Sequence, residues 1–294
     1  MNNFCGHPTK VLDNGFLRME YLTDVGPRIA RLYFGKSDTS LLAELPDAGS
    51  DTPFGRYEVM GGHRLWHAPE DMPRTYVPDR AVTIEPLPDG IRLNAATEPG
   101  TGLGKSMEIH LAAGSAGVTI RHEIRNDGLW PVELAPWGIT MFKQGGTVIL
   151  PQAVGNTDPA GLLSNRLLVL WPYTKLHDTR LMLDDDFILL KATPALPPCK
   201  IGYYNPHGWS AYRLGNTLFV KRIDSGSAQI FPDHGCNAET YCNDQFVELE
   251  SLGPVVNLLP GEKVSHQESW ELYDGLDQPF LPEKLQKRLA QMQD

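Results

Sequence analysis

The stretch VTIRHEIRN, residues 118–126, decides the fold class, because its apolar residues recur at every second position. Val118, Ile120 and Ile124 fall on one face of an extended chain. His122 shares that face, and the remaining polar side chains point the other way. Such alternation is typical of a β-strand with one buried face, so we predict a strand here.

The same alternation recurs in both directions along the chain, between short stretches that contain Gly, Pro, Asn or Asp. Further stretches of this kind are FLRMEYL (16–22), RIARLYF (28–34), GIRLNAA (90–96), SMEIHLA (106–112) and NTLFVKRI (216–223). The 28 glycines and 24 prolines are spread through the chain, which favours many short strands. No blade-length repeat is present, so the pattern favours one very large sandwich over a propeller.

Helical signals are few, and the clearest is LPEKLQKRLAQM near the C-terminus. Its leucines repeat at helical spacing and its proline suits a first turn, so we predict a helix at about 281–293. The predicted architecture is therefore all-β, with antiparallel strands, few short helices and a C-terminal helix. We expect residues 1–294 to form a single domain.

The composition excludes several partners. A net charge of −10 with no clustered basic face argues against nucleic acid. No apolar stretch approaches the roughly 18 residues of a membrane span, and the N-terminus has no leader pattern, so we expect a cytoplasmic protein without a membrane partner. The four cysteines have no CxxC spacing and are expected to be free thiols. Nothing in the sequence indicates an oligomeric state.

The first candidate for chemistry is FVELESLGP, residues 246–254. In a strand, Glu248 and Glu250 share one face, and Val247 and Leu249 face the core. Carboxylates about 7 Å apart raise each other's pKa, which suits a general base with a partner. The alternative is a solvated outer face.

The second candidate is GGHRLWHAPE, residues 61–70, in which His63 and His67 have the spacing of a helical zinc pair. The flanking glycines and proline oppose a helix, however. In an extended chain the two rings lie about 13 Å apart, too far to share one metal, so we expect no metal here.

The extended conformation of the same stretch places Arg64 and Trp66 together on the opposite side. An indole face beside a guanidinium suits a polyhydroxylated ring, since the indole stacks and the guanidinium donates to hydroxyls. Alternatively, Trp66 is a core residue and Arg64 pairs with Glu70 or Asp71.

A third group of polar and aromatic side chains falls where strands are expected to meet turns, a common position for site residues. Its members are Lys200, His207, Trp209, His234 and Glu239. Signatures of serine hydrolases, P-loop proteins, dinucleotide-binding proteins and zinc proteases are absent from the sequence.

In their order along the chain, four stretches resemble the galactose mutarotase-like family, the aldose 1-epimerases and their relatives. They are LDNGFLRMEYLTDVGPRIARLYF, GGHRLWHAPE, IRHEIRNDGLWPVELAPWGITMF and FVELESLGPVVNLLPGEKVSHQESWELY, and they span about residues 10–273. The resemblance implies a β-supersandwich with a sugar-binding cleft and acid–base chemistry without a cofactor.

In mutarotases a glutamate removes the proton of the anomeric hydroxyl and a histidine protonates the ring oxygen. By position, Glu250 matches the glutamate best, and Glu248 is a close second. Trp137 stands where the family has its acid histidine, and an indole does not serve as a proton donor in this sense. The resemblance therefore leaves His63 or His67 to act as the acid.

The expectation is a carbohydrate-binding protein that resembles aldose 1-epimerases and interconverts sugar anomers. We expect Glu250, Glu248 and His63 to be catalytic; residues expected to shape the sugar site are Arg64, Trp66, His67, Trp137, Lys200 and Glu239. One alternative is a sugar-binding or regulatory module without catalysis. Another is a metal-dependent enzyme that uses His63 or His234 with Glu239 or Glu248.

Overall fold

The burial of alternate side chains shows why this chain forms sheets. In the structure, a computed structural model that describes residues 2–153, 155, 158–226 and 229–274, the predicted strand at 118–126 is present as β12, Gly117–Asn126. Val118, Ile120 and Ile124 are buried on one face, whereas Arg121 and Arg125 are exposed on the other.

The described residues form 24 strands, numbered in chain order. The first twelve are β1 Asn2–Phe4, β2 His7–Asp13, β3 Leu17–Leu22, β4 Val25–Gly26, β5 Arg28–Phe34, β6 Glu44–Thr52, β7 Gly55–Gly61, β8 His63–Ala68, β9 Arg80–Leu87, β10 Gly90–Ala95, β11 Leu103–Leu111 and β12. The others are β13 Val132–Lys143, β14 Thr147–Pro151, β15 Leu168–Leu170, β16 Leu181–Leu183, β17 Phe187–Lys191, β18 Cys199–Tyr203, β19 Trp209–Leu214, β20 Thr217–Ile223, β21 Ala238–Cys242, β22 Phe246–Leu252, β23 Val256–Leu258 and β24 Lys263–Tyr273.

Two large sheets contain almost all of these strands. Sheet I has the order β1-β2-β3-β5-β8-β13-β22-β21-β18-β15, and β23 pairs with β13 beside it. Sheet II has the order β16-β17-β14-β19-β20-β24-β12-β11-β10-β9-β4. The fold is nearly all antiparallel β, which confirms the predicted class.

The helices of the described residues are two single turns, α1 at Met72–Thr75 and α2 at Pro232–Gly235. Within α2, Asp233 and His234 have positive φ values of 48° and 62°. The helix predicted at about 281–293 lies outside the described residues, and the single-domain extent of 1–294 stays a prediction.

The main core lies between the two sheets. Sheet I contributes Val247 and Leu249 to it, and sheet II contributes Ile120 and Trp270. The predicted orientation of β22 is therefore confirmed, because Val247 and Leu249 face the core. The four cysteines are free thiols, as predicted.

A second apolar cluster lies on the other face of sheet I. It includes Trp66, Trp137 and Ile139 of the sheet, and Tyr57 from the β6–β7 hairpin packs against them. This hairpin therefore adds a wall to the face of sheet I that points away from sheet II, and it is on this face that polar side chains gather.

Candidate functional site

A cavity of about 320 Å³ opens on the face of sheet I that points away from sheet II. Its lining is largely aromatic, with four ionisable side chains among the aromatic rings. The lining residues are Tyr57, Val59, Arg64, Trp66, Glu70, Tyr76, Trp137, Ile139, Trp171, Tyr173, Lys200, Tyr241, Phe246 and Glu248. We call this cavity the cleft.

The register of sheet I brings these residues together from distant parts of the chain. Arg64 lies opposite Ile139, which lies opposite Glu250, which in turn lies opposite Glu239. Trp66 lies opposite Trp137. Since residues directly opposite each other in a sheet point to the same face, all of these side chains are on the cleft face.

Glu250 is buried and contacts two residues of the cleft lining, Lys200 and Trp137. Its Oε2 accepts from Lys200 Nζ at 3.0 Å and from Trp137 Nε1 at 2.9 Å. Its Oε1 is buried and has no hydrogen-bond partner. One oxygen is thus held by two donors, and the other is left as a free acceptor.

Lys200 lies between two carboxyl groups and two indoles. Its Nζ is 2.8 Å from Glu239 Oε2, and it also lies 4.6 Å and 4.5 Å from the ring centroids of Trp137 and Trp171. Burial lowers the pKa of Lys200, but Glu250 and Glu239 outweigh this and raise it well above its usual value. Lys200 is therefore a cation in the cleft wall.

Glu239 is fully buried behind Glu250 and has a different environment. Burial, and then the charge of Glu250, raises its pKa well above its usual value, although Lys200 acts in the opposite direction. Neither of its oxygens has a hydrogen-bond partner of good geometry, despite the close approach of Lys200. Gly202 makes room for it, because a Cβ there would lie 3.0 Å from Glu239 Cγ.

Glu248 shares the cleft face with Glu250, as the strand pattern predicted. Burial raises its pKa to about 8, and the charge of Glu250 adds to this, whereas Arg64 and Lys200 act in the opposite direction. The raised pKa favours the protonated form of Glu248, which can donate a proton. Two carboxyl groups on one strand thus have different environments.

Arg64 stacks on Trp66, with Cζ 4.2 Å from the ring centroid. Its Nη2 lies 3.8 Å from Glu248 Oε1, and its Nε has no partner. Glu70 hydrogen-bonds with Tyr76 instead of Arg64, which disfavours the alternative in which Arg64 pairs with Glu70.

The structure does not bring His63 and His67 into the cleft. Strand β8 alternates, so both histidines point into the space between the sheets, away from Arg64 and Trp66. Both are fully buried, and burial lowers the pKa of each well below its usual value. Sequence reasoning expected His63 to be the acid and His67 to bind sugar; their position removes the geometric basis for both expectations.

His63 belongs to a buried network that we call the inter-sheet cluster: His63, His122, Lys221, Ser251, His266 and Glu268. His63 Nε2 lies 2.8 Å from His122 Nε2, and Lys221 Nζ lies 3.0 Å from Glu268 Oε1. Ser251 Oγ donates to Glu268 and contacts His266 Nε2.

Within this cluster, His63, His122 and Glu268 have ligand atoms within 4.8 Å of one another, close enough in principle for one metal ion. Lys221 and Trp270, however, already donate to the Glu268 carboxylate. His63 Nδ1 also lies 2.9 Å from Thr140 Oγ1. These contacts form a closed hydrogen-bond network, in which the potential metal ligands already have hydrogen-bond partners. His234, the other histidine considered as a metal ligand, is exposed and lines a different cavity.

Sequence reasoning missed several aromatic residues of the cleft. Tyr241 follows Glu239 by two positions and shares its face, so strand alternation could have identified it. Trp171 and Tyr173 come from the loop after β15, and no local pattern indicates where that loop lies.

Comparison with known proteins adds to this geometry. No protein-family model matches the sequence, and no curated protein matches it. Solved structures do match the fold. A protein from Escherichia coli K12 proposed to be an aldose 1-epimerase has a TM-score of 0.58 at 12% identity, with 92% of this chain and 100% of that chain covered.

Two further structures are similar. A galactose mutarotase-like protein from Lactobacillus casei has a TM-score of 0.58 at 8% identity, with coverage of 90% and 100%. A TPR-domain containing protein from Parabacteroides distasonis has a TM-score of 0.62 at 16% identity, with coverage of 94% of this chain and 49% of that chain.

These matches define the class of the protein: it has the galactose mutarotase-like fold, as the resemblance of its sequence implied. Among the residues that the structure describes, no helix is long and apolar enough to cross a membrane.

Proposed function

We propose that the cleft binds a sugar and interconverts its anomers by acid–base chemistry between Glu250 and Glu248. The observation that carries this proposal is that the two carboxyl groups on β22 have different environments. Glu250 has one buried carboxylate oxygen without a hydrogen-bond partner, and burial raises the pKa of Glu248 to about 8, which favours its protonated form. Two carboxyl groups held close together in different environments are typical of acid–base catalysts.

In the proposed reaction, Glu250 Oε1 removes the proton of the anomeric hydroxyl, and the carboxyl group of Glu248 donates its proton to the ring oxygen. The bond between C1 and the ring oxygen breaks as the aldehyde forms. After rotation about the bond to C1, the reverse proton transfers close the ring with either configuration. No redox change occurs, and the two glutamates exchange protonation states.

The surrounding residues suit this substrate class. Aromatic rings make up much of the cleft lining, and such rings pack against the C–H surface of a sugar ring. Trp137 Nε1 and Lys200 Nζ hold Glu250 in place, so Trp137 acts as a positioning residue where the family resemblance implied an acid.

Exchange NMR of α and β anomers, across neutral and acidic aldoses, tests the proposal. We expect a rate above buffer for at least one sugar and a fall of about 10²–10⁴-fold in Glu250→Gln. Glu271→Gln is the matched control, because Glu271 is a strand glutamate of sheet II that pairs with Arg222 outside the cleft. No rate above buffer for any sugar would contradict catalysis.

A second candidate function is sugar binding without catalysis. It is favoured by the absence of histidine among the described residues that line the cleft. It predicts saturable binding of a sugar, together with anomer exchange that stays at the buffer rate in both the wild type and Glu248→Gln.

A further inference from the structure

Arg64 is a buried cation whose hydrogen-bonding groups are poorly used. Its side chain is only 7% exposed. Nε has no partner, and Nη1 has only long contacts, 3.4 Å to Val59 O and 3.7 Å to Met141 Sδ. Burying a guanidinium without an anion is costly, so an arrangement of this kind calls for a counter-charge.

Two other buried arginines, Arg28 and Arg180, have such a counter-charge. Arg28, the register partner of Arg64 on β5, lies 2.9 Å from Asp79 and donates to Gly61 O at 2.7 Å. Arg180 lies 2.7 Å from Asp178. Arg64 has no comparably close carboxylate: Glu248 Oε1 lies 3.8 Å away.

Glu248 also carries little charge with which to compensate Arg64. Its Oε1 lies 3.8 Å from Arg64 Nη2, beyond hydrogen-bond distance, and burial raises its pKa to about 8, which favours its neutral form. Lys200, the other cation of the cleft, is matched by Glu250 at 3.0 Å. Arg64 is therefore the more weakly paired of the two cations in the cleft wall.

The free edge of Arg64 suits an anion. Its stacking on Trp66 leaves Nε unpartnered and Nη2 only weakly engaged. These two nitrogens lie on the same edge of the guanidinium, the edge that pairs with two oxygens of a carboxylate or phosphate.

We propose that the cleft is specific for a negatively charged sugar, whose carboxylate or phosphate group pairs with Arg64 through Nε and Nη2. This rests on the proposed function, in that the cleft is taken to bind a sugar. Arg64 would then determine specificity, while Glu248 and Glu250 act at the anomeric centre.

Titration of sugars into the protein, followed by tryptophan fluorescence, tests this proposal, because Trp66, Trp137 and Trp171 line the cleft. The ligands are glucuronate and galacturonate, glucose 6-phosphate and galactose 6-phosphate, and the neutral parents glucose and galactose. We expect at least one anionic sugar to bind about tenfold or more tightly than its neutral parent, since hydrogen bonds to charged groups are worth that much. Comparison of the uronates with the phosphates identifies the anion.

The variant Arg64→Gln should lose this preference, so that the anionic sugar binds no more than about threefold more tightly than its neutral parent. Arg222→Gln, a strand arginine of sheet II paired with Glu271, is the matched control and should keep the preference. Equal affinity for anionic and neutral sugars in the wild type would overturn the inference, as would a preference that survives in Arg64→Gln. If Arg64→Gln does not fold, the wild-type comparison decides alone.

The two proposals fail separately in these experiments. A preference for anionic sugars without anomer exchange would sustain the specificity of Arg64 and contradict catalysis. Exchange of neutral sugars without any anionic preference would sustain catalysis and overturn the specificity of Arg64.

Discussion

Sheet I separates two buried lysine–glutamate pairs of the same length. In the cleft, Lys200 Nζ lies 3.0 Å from Glu250, and between the sheets Lys221 Nζ lies 3.0 Å from Glu268. Their surroundings differ in one respect. Atoms of Arg64, Glu239 and Glu250 in the cleft lack hydrogen-bond partners, whereas in the inter-sheet cluster every described polar side-chain atom that is buried has one.

The pKa values of buried glutamates in the two regions are also shifted in opposite directions. Burial raises the pKa of Glu248 to about 8. Burial acts in the same sense on Glu268, but Lys221 and the neighbouring histidines outweigh it and lower its pKa well below the usual value. A closed network fixes its charges, and an incomplete one keeps groups available for a ligand. Between these two lysine–glutamate pairs, it is the pair in the cleft that has buried atoms without partners around it, although atoms of Arg28, His67 and Gln144 elsewhere also lack partners.

The largest expected effect is on stability, in the inter-sheet cluster. Glu268→Gln leaves Lys221 as a buried ammonium without its carboxylate. We expect a loss of about 3–5 kcal/mol in the free energy of unfolding, measured by urea denaturation.

Glu271→Gln is the control for that measurement. It lies on the same strand and removes a half-exposed partner of Arg222, so it should cost no more than about 1 kcal/mol. Equal losses in the two variants would show that the inter-sheet cluster contributes nothing special to stability.

The next largest effect is on the pH dependence of the anomer exchange proposed for the cleft. Because the folded-state pKa of Glu248 is raised to about 8, the protonated acid is present below that pH and is lost as pH rises through it. We therefore expect kcat/KM for anomer exchange to fall as pH rises through about 8. Glu248→Gln should lower the rate about 10²-fold or more and remove this alkaline fall. A wild-type rate that rises between pH 7 and 9 would count against Glu248 as the acid.

The smallest expected effect is that of His63 on sugar binding. His63→Asn alters the inter-sheet cluster, on the far side of sheet I from the cleft, so we expect lower stability but unchanged sugar affinity. Fluorescence titration measures the affinity. A change of more than about threefold would show that the two clusters are coupled through the sheet, against the additivity of distant sites.

Local patterns in the sequence predicted much of the fold and one face of the site. Alternation placed Glu248 and Glu250 on one side of β22, and it separated Arg64 and Trp66 from His63 and His67. The family resemblance led to the architecture of the sheets and to the tryptophan at 137.

The remaining features of the site could not be predicted, because they depend on contacts between residues that are distant in the sequence. Glu250 meets Lys200 across 50 positions and Trp137 across 113. No local pattern specifies those distances. The position of His63 away from the cleft could not be predicted for the same reason: its partners His122 and Glu268 come from sheet II, and only the packing of the sheets brings them to it.

A crystal structure of the protein with a bound sugar tests the central claim most directly. We predict a sugar in the cleft, with Arg64 Nε and Glu250 Oε1 each about 2.7–3.2 Å from a ligand oxygen, and an unchanged inter-sheet cluster. A sugar bound elsewhere, or in the cleft with both of those atoms still unpaired, would contradict the account.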